Sequence, residues 1–266
     1  MAPLRTALYQ GPSGVPSSVD DSVAALDAAV RRAAAAGARL LVTSEMFATG
    51  YALGEAVPAL AEASDGPTAG RIARIAAAYG LGIVYGYPER DGDDVFNAAQ
   101  LIGPDGERLA NYRKAHLFGD FERARFTPGD EAVVQAELDG TRIGILICYD
   151  VEFPEMVRAH ALAGTELLAV PTALMRPYEF VPQTLVPARA YESQLHVAYA
   201  NRCGPEGEFD FAGLSCLAGP DGAVRARAGT TEELVVADAD PAVLRAVREE
   251  TPYLADRRPE LYRSLG

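Results

Sequence analysis

The chain has 266 residues, with 24 basic against 37 acidic side chains, a formal charge of −13 and 49% hydrophobic residues. This is the composition of a folded globular protein rather than a disordered one, and its acidity argues against a nucleic-acid or anionic-membrane surface, which needs a basic footprint. Cys148, Cys203 and Cys216, with His116, His160 and His196, form no CxxC, HxH or HExxH pattern, so neither a disulfide framework nor a metal site is expected.

No apolar run nears the ~18 residues of a membrane span, and the opening MAPLRTALYQGPSG lacks the apolar stretch of a signal peptide. A cytoplasmic protein is therefore expected. Of the 24 basic residues only Lys114 is a lysine; the other positions are all arginine. Either a compositional bias left one lysine by chance, or its position will not accept arginine, which is planar and holds its proton permanently.

In chain order, Leu4–Gln10 reads as a short strand. Ser18–Ala36 reads as a helix, with Asp20 and Asp21 near its start, an apolar stripe of Val23, Leu26, Ala29 and Val30, and Gly37 as its stop. Arg39–Thr43 is a buried strand, Gly66–Tyr79 a helix ending at Gly80, and Gly82–Tyr87 a strand. Asn97–Ile102 and Glu107–Tyr112 flank the turn sequence Gly103-Pro104-Asp105-Gly106 and read as a hairpin. Val133–Glu137 and Thr141–Cys148 flank Asp139-Gly140 in the same way. Pro154–Ala163 is a helix, Glu166–Val170 a buried strand, Val181–Ser193 a helix and His196–Asn201 a strand. Leu214–Ala218 and Val224–Ala228 flank a second GPDG turn, Leu234–Ala237 is a strand and Asp240–Val247 a helix; the charged tail, 252–266, reads as extended. No linker divides this mixture. It predicts one α/β domain over 1–266, built as two sheets sandwiched by helices.

Three reactive residues fall at the carboxyl ends of predicted strands, where active sites of α/β sheets collect. They are Glu45 after RLLVTS, Lys114 after LANYR and Cys148 after TRIGILI. Cys148 precedes a helix opening at Pro154, and a helix N-terminus lowers a thiol pKa. The alternative is a buried, inert cysteine, and Cys203 and Cys216 read that way. Glu45 alone reads more readily as a solvated carboxylate. A nucleophilic cysteine needs a base, and His116 beside Lys114 leaves a Cys–His pair open.

Taken together, TSEMFATGY (43–51), YRKAHLFGDFE (112–122) and ICYDVEFPE (147–155) resemble the nitrilase superfamily of carbon–nitrogen hydrolases. VPTALM (170–175), RAYESQ (189–194), YANRCG (199–204) and GPDG (219–222) follow in the family's order across nearly the whole chain. RTALYQG (5–11), IVYGYPER (83–90) and TPYLADRRPEL (251–261) look most like aliphatic amidases of the 5-aminopentanamidase type. The resemblance implies a four-layer αββα sandwich, no metal or organic cofactor, and a Glu–Lys–Cys triad. In it Cys148 is the nucleophile, Glu45 the general base and Lys114 the cation that stabilises the oxyanion, helped by the backbone N–H of Tyr149. Glu122 takes the place of a second glutamate that orients Glu45 or the substrate. Tyr51, Thr172 and Glu152 are placed along the substrate. A small-molecule amide and a second copy of the chain are the implied partners, with a monomer left open.

Val151 and Glu152 stand where N-carbamoyl amino acid hydrolases of this superfamily carry arginines for the substrate carboxylate. An acidic residue there favours an uncharged or cationic amide, such as an ω-amino or guanidino acyl amide; the alternative is that Glu152 points away and pairs with an arginine. N-carbamoyl-amine hydrolysis and nitrile hydrolysis use the same triad and stay open. So does a catalytically silent binding module, against which an intact triad argues.

Overall fold

A computed structural model describes residues 2–262. Fourteen strands are described: β1 Leu4–Tyr9, β2 Leu40–Thr43, β3 Gly82–Asp91, β4 Asp94–Ile102, β5 Arg108–Arg113, β6 Gln135–Leu138, β7 Thr141–Ile145, β8 Leu167–Thr172, β9 His196–Asn201, β10 Cys203–Glu206, β11 Phe209–Ala212, β12 Cys216–Ala218, β13 Val224–Arg227 and β14 Leu234–Ala239. The helices are α1 Val19–Ala35, α2 Val57–Leu60, α3 Pro67–Tyr79, α4 Gly119–Arg123, α5 Pro154–Leu162, α6 Val186–Ser193 and α7 Pro241–Glu250.

The strands form two mixed six-stranded sheets, ordered β14-β1-β2-β3-β4-β5 and β13-β12-β9-β8-β7-β6. Read from β14 and from β6, both sheets run antiparallel, parallel, parallel, antiparallel, antiparallel between neighbours. The two halves thus share one topology although no sequence repeat is visible. Helices α1 and α3 cover the first sheet, and α5 and α6 cover the second. The result is the predicted αββα sandwich.

Strand periodicity explains the layering. In β2, Leu40 and Val42 pack into the core shared with the second sheet, and Leu41 packs on the helix side. In β1, Leu4 and Leu8 take the shared core, while Ala7 and Tyr9 meet Leu26, Ala29, Val30 and Ala33 of α1. Central strands are buried on both faces, which is why LLVT and LLAVPT read as apolar runs without alternation. Ser18 caps α1 by accepting the Asp21 N–H, and Gly80 closes α3 in the left-handed conformation, φ 61°.

Several expectations needed correction. The hairpin β10–β11 was not predicted, because CGPEGEFDFAG is rich in turn residues and its strands are four residues each. The strand ending at Cys148 stops at Ile145, and Cys148 opens a tight 3-10 turn, Cys148–Glu152. The helix Val181–Ser193 opens as a wider π turn over Val181–Leu185. The tail is not extended where described: it folds into turns and a 3-10 turn, Pro259–Leu261, and 263–266 lie outside the described residues. No described helix is long and apolar enough to cross a membrane.

One glycine decides whether the loop after β2 can dock. A Cβ on Gly86 would stand 2.5 Å from the Met46 N and 2.9 Å from the Ser44 O. The loop therefore lies directly on β3, and the Ala48 N–H donates to Gly86 O at 3.0 Å. Gly86→Ala is expected to lower stability by about 1–3 kcal/mol and displace the loop carrying Glu45. Denaturant unfolding checks the first effect; an unchanged midpoint would show that the loop gives way freely.

Candidate active site

Glu45, Lys114 and Cys148 come together from three strand ends, two on the first sheet and one on the second. Lys114 follows β5. Its backbone N–H donates to Asn97 O of β4 at 2.8 Å, and its own carbonyl accepts the Gly129 N–H at 2.8 Å. Its Nζ donates to Glu45 Oε1 at 2.8 Å and to Glu122 Oε1 at 2.7 Å, and all three side chains are fully buried. Glu122, on α4, also accepts the Tyr51 hydroxyl at 2.8 Å on Oε1 and the Phe118 N–H at 2.7 Å on Oε2. Glu122 therefore orients Lys114 directly, where the resemblance had assigned it to Glu45 or the substrate. Both alternatives of a solvated Glu45 and a chance surface lysine fail on this burial.

Glu45 is held asymmetrically. Oε1 accepts Asn97 Nδ2 at 2.6 Å as well as Lys114, whereas Oε2 is buried with no hydrogen-bond partner among the described residues. Burial pushes its carboxyl up to about 7, with Lys114 opposing and Glu122 adding to the rise. Burial alone would lower the Lys114 ammonium, but the Glu122 and Glu45 carboxylates outweigh it and hold its pKa well above the ordinary lysine value. Lys114 is therefore a permanent cation, and Glu45 a carboxylate poised to exchange a proton near neutral pH.

Cys148 sits at φ 47°, in the left-handed region that side chains with a Cβ rarely adopt. The expected lowering of its thiol pKa by a helix N-terminus is corrected: burial, with Glu45 adding to it, raises the thiol well above its ordinary value, and Lys114 and an Ala173 backbone hydrogen bond only partly offset this. The resting group is a thiol that needs a base. His116 is not that base. Its ring nitrogen Nδ1 lies 2.9 Å from Asp150 Oδ1, and its ring stacks on Phe153 at 3.9 Å between centroids.

Asp150 was missed by the sequence reading, and it ties the cysteine turn to the lysine segment. This fully buried carboxylate accepts the Ile147 N–H at 3.2 Å, the Tyr112 hydroxyl at 2.9 Å and the His116 N–H at 2.8 Å. Asn97 was missed too. The only signal for it was an amide side chain inside the largely apolar run of β4, a signal that Gln100 of the same strand shares.

Cys148 opens into a pocket of about 90 Å3 lined by Tyr51, Phe118, Tyr149, Glu152, Met175 and Tyr178. Tyr149 packs edge-on against Phe118 and Phe153, at 5.2 and 4.9 Å between centroids. Glu152 faces this pocket and has no ion-pair partner among the described residues; Arg189 reaches its backbone carbonyl, at 2.7 Å, rather than its carboxylate. Burial raises the Glu152 carboxyl, with Lys114 and Arg189 partly offsetting it. Thr172 stands behind the pocket wall: its hydroxyl donates to Val170 O at 3.0 Å, and its carbonyl accepts the Glu45 N–H at 3.2 Å. It supports Glu45 rather than lining the pocket. Among the described residues no group of three or more His, Cys, Asp or Glu side chains is placed to hold a metal ion.

Comparison with known proteins places the chain in a family. The family described as carbon-nitrogen hydrolase matches residues 5–249. A Pseudomonas protegens protein described as "Hydrolase in pqqF 5'region" is 50% identical over 265 residues, covering 99% of this chain and 92% of that one. The 2-oxoglutaramate amidase of Bacillus subtilis is 33% identical over 226 residues, covering 85% of this chain and 87% of that one. A mutant of the nitrilase-superfamily amidase of Nesterenkonia AN1 superposes with a TM-score of 0.87 at 36% identity, over 100% of this chain and 98% of that one. Another structure of that amidase has the acetamide moiety of fluoroacetamide covalently added at its active site cysteine.

Removing the cation should expose how much the buried cluster depends on it. Lys114→Met leaves two buried carboxylates facing each other and should cost about 3–5 kcal/mol, read from chemical denaturation. Alkylation of Cys148 by iodoacetamide should quicken as pH rises through about 7, where Glu45 becomes the carboxylate that can take the thiol proton. Glu45→Gln should flatten that step; a step that persists in the variant would assign it to another group.

Proposed function

The chain belongs to the carbon–nitrogen hydrolase family and is an amidohydrolase acting on C–N bonds; from that premise we propose that it converts a small aliphatic primary amide to the carboxylic acid and ammonia through a thioester on Cys148. One observation carries the reading of the catalytic base. Glu45 has one oxygen fixed by Asn97 and Lys114 and the other buried without a partner, in a carboxyl whose pKa sits at about 7. That free oxygen takes the Cys148 proton, and the thiolate attacks the amide carbonyl. The oxyanion forms beside the Lys114 ammonium and the Tyr149 N–H. Its collapse breaks the C–N bond, and the leaving amine takes the proton held on Glu45. A thioester remains. Glu45 then draws a proton from water, hydroxide adds to the thioester carbonyl, and the acid departs as the thiol is restored.

Glu152 carries the finer reading, a cationic ω-amino or guanidino acyl chain of the 5-aminopentanamide class. An unpaired carboxylate facing the pocket matches a cation at the far end of the acyl chain and disfavours a carboxylate there. Val151, fully buried, supplies no clamp for the carboxylate of an N-carbamoyl amino acid either. The enzyme works as a homodimer. Exposed Tyr191, Tyr253 and Tyr262 line one groove, the first two 5.9 Å apart between centroids, and support this as the surface that a second copy covers. Three unpaired cysteines suit a reducing compartment such as the cytoplasm.

Ammonia release from 5-aminopentanamide and pentanamide, with Cys148→Ala as the blank, tests the reading. Wild type should favour the amine by roughly tenfold or more in kcat/KM, and Glu152→Gln should erase the preference. Equal rates in wild type would remove the cation, and no release above the blank from any short amide would remove the amidase. Lys114→Arg should fold yet lose about 10²–10³ in kcat, because the guanidinium cannot present one compact donor between two carboxylates; near-wild-type turnover would return the lone lysine to coincidence. Sedimentation at working concentration separates the dimer from a monomer.

A further inference from the structure

The base Glu45 is gripped through its backbone as well as its side chain. Its N–H donates to Thr172 O at 3.2 Å, and its carbonyl accepts Arg202 Nη1 at 3.3 Å. Arg202 follows β9 and is only 6% exposed. Its own N–H donates to the same Thr172 O at 3.1 Å, so one carbonyl at the end of β8 ties the two residues together. The guanidinium forms an ion pair with Glu206, which is 2% exposed, with Arg202 Nε donating to Oε2 at 2.7 Å.

The second oxygen of Glu206 reaches the other side of the site. Oε1 accepts the backbone N–H groups of Tyr51 and of Ala52, the latter at 2.8 Å. Tyr51 is the residue whose hydroxyl donates to Glu122. A buried Arg–Glu pair thus touches the backbone of the base on one side, and on the other the backbone of the tyrosine that buttresses Glu122. The chain brings it there through the hairpin β10–β11, whose Phe209 and Phe211 meet the Tyr51 ring edge-on at 5.4 and 5.7 Å between centroids. Gly50, at φ 93°, allows the approach, since a Cβ there would stand 3.2 Å from Glu206 Oε1.

We propose that Arg202 and Glu206 are positioning residues for the reaction: together they set the loop 45–51, so that Glu45 and the Tyr51–Glu122 buttress meet Lys114 in one geometry. The physical argument is one of cost and return. A buried ion pair contributes little net stability over an apolar pair of the same size. Apart from a 3.5 Å contact of Arg202 Nη2 with Gly14 O, both members here spend their remaining hydrogen-bonding capacity on backbone groups next to the chemistry, where a displacement of about 1 Å costs on the order of 10²-fold in rate. A pair kept only for stability has no need of those partners.

The inference rests on Glu45 as base, so Glu45→Gln is run alongside. Arg202→Ala, at a temperature where circular dichroism shows it folded, should lose roughly 10- to 100-fold in kcat with KM within about threefold of wild type. Arg202 also lines a cavity of about 200 Å3 beside Gly14 and Ser44, so millimolar guanidinium should restore part of the kcat of Arg202→Ala. Arg202→Lys should recover part of it without rescue. Glu206→Gln keeps the acceptor for Tyr51 and Ala52 but loses the charge, and should lower kcat with no response to guanidinium. If Arg202→Ala does not fold, Arg202→Lys and Glu206→Gln decide. Folded variants with wild-type kcat, beside an inactive Glu45→Gln, overturn the positioning role alone. An active Glu45→Gln overturns the base on which it rests.

Discussion

One ammonium stands between two carboxylates, and none of the three reaches water. Moving those charges out of water is expensive, and their mutual attraction compensates only if every remaining donor and acceptor is answered. The surrounding structure answers all but one oxygen of Glu45. Glu122 takes Lys114, the Tyr51 hydroxyl and the Phe118 N–H. Glu45 takes Lys114 and Asn97 on the same oxygen. The cluster still carries one negative charge more than it carries positive, and Glu45, with its second oxygen bare, is the member pushed up to about 7. The cluster therefore stores the capacity to accept a proton without any histidine, and a raised thiol pKa next door is matched by a raised carboxyl pKa rather than left stranded.

The strand-end placement of Glu45, Lys114 and Cys148 was legible because each lies in a local stretch with its own strand ahead of it; their reading as a triad came from the resemblance. RLLVTSE, LANYRK and TRIGILIC each state both the element and the residue that follows it. What those stretches depend on was not legible. Asn97 acts on a residue 52 positions away, and Arg202 on one 157 away. A single chain without its fold gives no hint which of two amides in β4, Asn97 or Gln100, is aimed at a glutamate. The helix-terminus argument for Cys148 failed for a related reason. It weighed a local dipole that the sequence reveals, and left out burial beside Glu45, which raises the thiol and is set by tertiary packing. Hairpin β10–β11 stayed hidden because its two short strands are separated only by glycine and an acidic residue, Gly207 and Glu208, and are flanked by more turn formers.

Asp150 shows how one buried group can replace several specific contacts. It binds the residue before the cysteine and two residues that flank the lysine, so the turn bearing Cys148 and the segment bearing Lys114 are tied together. With Thr172 and Gly86 holding the glutamate loop, each of Glu45, Lys114 and Cys148 is fixed through its backbone neighbours. The side chains then need few rotamer restraints of their own, which is how preorganised sites tolerate a small, open pocket.

Glu45 and Lys114 hang from the first sheet and Cys148 from the second. The proposed site therefore straddles the seam between two ladders that are each internally hydrogen-bonded and joined to one another by apolar packing, with Asp150 and the Thr172 carbonyl bridging them at the site. Such packing resists separation better than it resists shear, since contact area changes little when two surfaces slip past each other. A slip of about 1 Å would leave both ladders and their spectroscopic signatures intact while removing most of the turnover. Catalytic rate is thus a vernier on the alignment of the two sheets, and it reads displacements that no measurement of secondary structure registers.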